Sequence, residues 1–251
     1  MDELALFNQG GYRFIPSVFQ YSGGVVAGDG YSIVRVRLTK PIPFSEGFQR
    51  IEKIIKAAGR PLNAFCACEL RSPAPFTDEG FKSFNQIYVD RLRRWGILSG
   101  ELNPVARSHV CPAVSPPKEP SLYAFAYTEK IISAGPSFIV SGSAEVPEGK
   151  ANYQDYIVRP GDASSDGMRE KSAFVIEEME RRLGTLGFHW RDITAAHVYT
   201  LRSLDPSVAD DVVRRGALHG GLNWQYCRPP VVGLEYEMDC RGISFERIEV
   251  I

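Results

Sequence analysis

Apolar and polar positions alternate along this chain in two periods, and the switches between them mark out its elements. Tyr31 to Leu38 sets Ile33, Val34, Val36 and Leu38 against Arg35 and Arg37, a strand-like repeat. Before it, Phe14 to Ala27 reads as a strand pair broken by Ser22-Gly23-Gly24, and Asp29-Gly30 is a hairpin-turn signal. The period then lengthens. Phe48, Ile51, Ile54 and Ile55 form the stripe of a helix capped by Ser45, running to about Ala58 and ended by Gly59. Asn63 to Leu70 returns to alternation, with Ala64, Cys66, Cys68 and Leu70 on one face. Thr77 caps a second helix with Phe81, Phe84, Ile87, Tyr88 and Leu92 at helical spacing. A strand headed by Arg107, a proline-rich loop from Pro112 to Pro120 and a strand from Leu122 to Thr128 follow. The predicted order is ββ(β)αβαββ.

From Glu129 the order returns. Ser137 to Ala144 is a strand, and Tyr153 to Val158 a short extended piece. Ser164 or Ser165 starts a long helix bearing Met168, Ala173, Ile176, Met179 and Leu183, stopped by Gly187. Then come a strand from Ile193 to Leu201, a helix from Pro206 to about Leu218, a strand around Arg228, a loop around Gly233 and a closing strand from Ile243 to Val250. Local matches accompany this. Phe19 to Gly23 aligns with Phe138 to Gly142 at an offset of 119, Leu70-Arg71-Ser72 with Leu201-Arg202-Ser203 at 131, and Arg107 with Arg228 at 121. Three matches in one order predict a duplicated module, with residues 1–128 as one copy and 129–251 as the other.

Composition narrows the classes. The 251 residues are 44% hydrophobic and 24% charged, enough for one large domain or two small ones. A net charge of -1 gives no footprint for nucleic acid or an anionic membrane. No apolar run approaches the roughly 20 residues that a bilayer needs. The acidic start Met1-Asp2-Glu3-Leu4 does not read as a signal peptide, and five cysteines without a pairing pattern fit reduced thiols in a cytoplasm.

The candidate chemistry centres on arginine, whose planar fork matches a carboxylate bidentately as lysine cannot. Arg107 and Arg228 are the candidate carboxylate anchors. His109, two residues beyond Arg107 and on the same strand face, is a candidate acid or base near neutral pH. Glu246 is the candidate carboxylate of the closing strand, while Glu119, Glu235 and Glu237 read as loop charges able to fold over the site. Cys66 and Cys68 read as core, since no second pair stands at metal-ligand spacing. Cys227, beside Arg228, invites a nucleophile reading. His189, His197 and His219 share no ligand spacing, and the glycines of Gly23 to Gly28 fit neither a phosphate loop nor a dinucleotide pattern. No metal or organic cofactor is expected.

Ser22-Gly23, Asn85-Gln86-Ile87-Tyr88 and Ala106-Arg107-Ser108-His109-Val110 in the first half, with Ser141-Gly142, Arg228 and Ile243-Ser244-Phe245-Glu246 in the second, resemble the RidA/YjgF family of reactive intermediate deaminases. The resemblance implies an α+β fold of two tandem modules, each a curved mixed sheet with two helices on one face. It also implies threefold assembly, hence a homo-oligomer with a trimer favoured, and sites in clefts between modules. The implied reaction is hydrolysis of a small 2-imino, 2-enamino or aminomuconate-type carboxylic acid to a 2-oxo acid and ammonia. An arginine would hold the carboxylate, and a glutamate of the last strand would position water or move a proton. Counting from Arg107 puts that glutamate near Leu122 in the first copy and at Ser244, two residues before Glu246, in the second. Two alternatives stand beside this reading: a non-catalytic protein that binds a metabolite carboxylate, and a chorismatase-like hydrolase with two such modules.

Overall fold

The computed structural model describes residues 3–98, 100–131, 135, 137–150, 152–204, 206–217 and 221–251. His219, the expected helix end at Leu218 and the start Met1-Asp2 lie outside the described residues. Two mixed sheets carry the fold. The first has six strands in the order β11-β6-β5-β7-β4-β13. These are β4 (Ser32–Pro43), β5 (Phe65–Arg71), β6 (Ala106–Pro112), β7 (Ser121–Glu129), β11 (Cys227–Arg228) and β13 (Phe245–Glu249). The second has seven strands in the order β1-β2-β3-β8-β12-β9-β10. These are β1 (Ala5–Phe7), β2 (Tyr12–Ile15), β3 (Gly24–Ala27), β8 (Phe138–Ala144), β9 (Ala195–Tyr199), β10 (Leu222–Gln225) and β12 (Glu237–Gly242).

Helices cover one face of each sheet because their stripes have nowhere else to go. α1 (Phe44–Ala57) and α2 (Asp78–Arg94) bury Phe48, Ile51, Ile55, Phe84, Tyr88 and Leu92 with Phe65, Leu70 and Phe125 of the first sheet. α3 (Ser165–Leu186) and α4 (Pro206–Arg214) bury Val175, Ile176, Met179, Leu183 and Val212 with Val140, Val198 and Met238 of the second. Cys66 and Cys68 sit in the first core, as their alternation predicts. The Thr77 side chain caps α2 and Ser164 caps α3, each accepting a backbone N–H three residues on. Gly187 ends α3 with a left-handed φ of 86°.

Two expectations are corrected, and one strand is added. α1 starts at Phe44 with Pro43 as its cap, not Ser45; proline's fixed φ holds the chain extended up to that point. Tyr153 to Val158 is not extended: Gln154–Tyr156 forms a 3-10 turn, closed by the Asn152 side chain accepting the Gln154 N–H. The closing strand lies within its expected span as β13, but β12 before it was not expected; the chain bends after Gly242 and passes from the second sheet to the first.

The sheets exchange their ends. β3, near the N-terminus, pairs antiparallel with β8, whereas β13, at the C-terminus, pairs parallel with β4. Where β6 meets β8, the Ser141 hydroxyl donates to the Ser22 carbonyl (2.6 Å) and accepts the Arg107 backbone N–H (3.0 Å). Polar groups from both sheets lie between them: Arg35 grips Glu69 through two bonds of 2.6 and 2.8 Å, and Asp239 holds His197 and Tyr199 at 2.9 and 2.7 Å.

Candidate active site

A cleft of about 500 Å³, its open mouth included, lies at this seam between the sheets. Arg107 enters it from β6 and Glu237 from β12, with Phe81 of α2 and the loop residues Val231 and Leu234 as apolar walls. The site therefore joins both halves of the chain.

Arg107 is 3% exposed. Its Nη1 donates to Asn85 Oδ1 at 2.8 Å, while its Nη2 is buried without a hydrogen-bond partner. The Tyr21 and Tyr88 rings stand 5.0 Å from the guanidinium carbon and Phe81 5.6 Å. Among the described residues no carboxylate forms an ion pair with Arg107. A buried cation left in that state costs free energy unless an anion arrives. The motif residues Asn85 and Tyr88 are thus the supports that aim it.

His109 follows on the same face. Its Nε2 lies 2.7 Å from Ser72 Oγ, and its Nδ1 is buried without a partner. Burial first, then the charges of Arg107 and Arg71, push its pKa well below the usual 6.5, so the ring is neutral near pH 7.

Glu237, read from the sequence as a loop charge, is instead one of two carboxyl groups that line the cleft; the other, Glu148, pairs with Arg182 at 2.7 Å. It begins β12, opposite Ala144 of β8 and Tyr199 of β9, and is 4% exposed. Burial pushes its pKa well above the usual carboxylate range and the nearby Asp239 charge adds to this. The His109 backbone N–H, Arg71 and Arg107 offset only part of that rise. Gly142 makes the position possible, because a Cβ there would overlap Glu237 Oε1 and stand 3.3 Å from Ser108 Cα. Two details of the sequence pointed here: Glu237, Asp239 and Arg241 alternate with Met238 and Cys240, and Ser141-Gly142 sits in the matching strand.

The other expected residues lie elsewhere. Arg228 is exposed on β11, opposite Cys111 of β6, and lines a separate groove with Arg202, Tyr226 and Glu235. Arg228 thus sits on the edge strand of the first sheet, next to the strand that carries Arg107. Glu246, 48% exposed on β13, pairs with Arg241 at 2.9 Å and Arg35 at 3.5 Å, away from the cleft. Glu235 pairs outward with Arg202 at 2.9 Å, and Glu119 is exposed. The Cys227 thiol is buried with its pKa raised by that burial, which disfavours a thiolate nucleophile. Among the described residues no His, Cys, Asp and Glu cluster could hold a metal ion, and no helix is long and apolar enough to cross a membrane.

A buried guanidinium with an open nitrogen, an imidazole with its pKa depressed and a carboxyl group with its pKa raised by burial can bind a carboxylate, move a proton and guide water. A family model described as 2-aminomuconate deaminase CnbZ matches residues 4–247. A 2-amino-5-chloromuconate deaminase of Comamonas testosteroni is 49% identical over 250 residues, 99% of this chain and 100% of that one. A solved chorismatase structure superposes with a TM-score of 0.50 at 12% identity, over 95% of this chain and 78% of its own, a likeness of fold alone. With matches that span both sheets and the cleft between them, the chain belongs to the 2-aminomuconate deaminase CnbZ family.

Proposed function

We propose that this chain hydrolyses 2-aminomuconate or its 5-chloro derivative to the 2-oxo acid and ammonia, with Arg107 as the carboxylate anchor and Glu237 as the proton carrier. The observation that carries the reading is the open Nη2 of Arg107, buried in the same cleft as a carboxyl group that resists ionisation. A 2-amino-2,4-dienoate is an enamine. Arg107 would take the carboxylate next to the amino-bearing carbon, replacing the hydration it lacks. Glu237 would give its proton to a carbon of the diene, converting C–N to an electrophilic C=N⁺. Its carboxylate would then accept a proton from the water that adds to the amino-bearing carbon. In the collapse, the carboxyl protonates the nitrogen and recovers the hydroxyl proton. Ammonia leaves, a carbonyl remains, and Glu237 ends as it began. Neutral His109 would orient the water through Nδ1 instead of acting as the acid or base expected from the sequence, and Glu237 takes the part assigned there to Glu246. No metal or organic cofactor enters these steps.

The same reading takes the chain as two tandem RidA-like modules joined near residue 128. Its support is the shared strand order of the sheets, β4-β7-β5-β6 in one and β8-β12-β9-β10 in the other, each with two helices on one face. The chorismatase likeness supports that architecture and says nothing of substrate.

Ammonia release from freshly generated 2-aminomuconate tests the function. Wild type is expected to turn over. Arg107→Ala should lose roughly 10²- to 10³-fold in kcat/KM, about 3–4 kcal/mol for a bidentate charge-assisted contact. Absence of turnover in wild type would leave the reading without a substrate.

A further inference from the structure

Between two residues that line the cleft, Ala144 and Val146, lies a buried ion pair that the steps above do not use. Glu145 follows directly on β8, and Lys171 reaches it from α3; both are 0% exposed. Lys171 Nζ donates to Glu145 Oε1 at 3.2 Å and to the Val158 carbonyl at 2.9 Å. The Val158 N–H in turn donates to the Glu145 carbonyl at 2.9 Å. The Glu145 carboxylate also accepts two successive backbone N–H groups, Glu235 at 2.5 Å on Oε1 and Tyr236 at 3.0 Å on Oε2. Those are the two residues that precede Glu237, in the loop that supplies Val231 and Leu234 to the cleft wall. Glu237 pairs in register with Ala144, the residue before Glu145. Glu145 and Lys171 together therefore tie the end of β8 to the segment at 158 and to the chain just before β12.

A buried ion pair is weak evidence for stability, because two apolar side chains of the same volume often serve as well. A surface loop rarely commits a dry carboxylate to its backbone unless its geometry matters. We propose that Glu145, held by Lys171, is a positioning residue for the deamination: it fixes the point at which the chain enters the cleft at Glu237 and holds the Val231–Leu234 wall in place. The inference rests on the role given to Glu237 above. Around that carboxyl stand Asp239 from its own strand, Arg107 and His109 from β6, Arg71 from β5, and the Cys111 and Cys227 thiols, so a small displacement changes what it senses.

The test compares wild type with Glu145→Gln, which keeps the shape but loses the charge and one acceptor, and with Lys171→Arg, which keeps the cation. Glu145→Gln is expected to lower kcat about tenfold or more with KM changed less than about threefold, because Arg107 still binds the carboxylate. Its alkaline limb in the kcat–pH profile should move to lower pH as water reaches Glu237. Lys171→Arg should retain most of kcat. The titration of Glu237 is read separately by ¹³C NMR of carboxyl-labelled glutamate, assigned with Glu237→Gln, and needs no substrate. Failure of wild type on 2-aminomuconate would thus sink the substrate reading while the NMR still decides this one. Should Glu145→Gln not fold, Glu145→Gln/Lys171→Met, which leaves no lone buried charge, takes its place. A folded variant with wild-type kcat and wild-type Glu237 titration, or one in which only KM rises, would overturn the proposal.

Discussion

Arg107 keeps a charge in a dry place with one nitrogen unpaired, so its presence costs the empty protein something. Arg107→Met should abolish most turnover yet melt at or above wild type in the absence of ligand. Relief of an unpaired buried charge outweighs the lost bond to Asn85, about 1–3 kcal/mol. Differential scanning calorimetry of ligand-free protein checks this. His109 makes a pH prediction. Its native pKa is depressed below the unfolded value of about 6.5, so the native state binds its proton less readily than the unfolded one. The contribution to stability is complete above about pH 6.5 and is lost as pH falls towards the native value. Urea midpoints should therefore drop between about pH 7 and pH 5, and less steeply in His109→Gln. Arg107 was legible in the sequence because a motif and a strand start coincide there. Glu237 was not, because the alternation it begins puts charges on the face that the strand buries, which reads as a solvated face until burial is known.

At the level of elements, β8 and β12 make the cleft workable through an absence. Gly142 leaves the space that the Glu237 carboxyl fills. Gly142→Ala should cost only about 1–3 kcal/mol in chemical denaturation, as for other overpacked sites, but should displace Glu237 and cut kcat by roughly 10²-fold. Steady-state kinetics beside denaturant melts separates the two effects. The helices were readable because their apolar stripes, the Thr77 and Ser164 caps and the Gly187 stop all agree. β12 was not, because the face it buries carries Glu237, Asp239 and Arg241, with partners from both sheets: His197 and Tyr199 of β9 for Asp239, Glu246 of β13 for Arg241. A strand whose inner face is charged cannot be recognised by a rule that expects oil inside. Arg228 misled for a related reason. The chain leaves the second sheet after Gln225 and lends β11 to the edge of the first, a change of sheet that no local pattern announces.

For the molecule as a whole, the exchanged ends matter most. A chain cut between residues 128 and 129 would strip β8 of β3 and β4 of β13, leaving long unpaired edges on both pieces. Each fragment expressed alone is expected to aggregate or to show little native circular dichroism, whereas the intact chain should melt in one transition followed by far-UV signal. The Ser141 hydroxyl, spanning strands of both halves with its one proton and a lone pair, has a last consequence. It helps hold β6 against β8, so that the Arg107 guanidinium and the Glu237 carboxyl line one cleft within a single polypeptide. Two defective versions of this protein, one lacking Arg107 and the other lacking Glu237, should therefore fail to complement each other when mixed, unlike enzymes whose reactive centre is shared between separate chains.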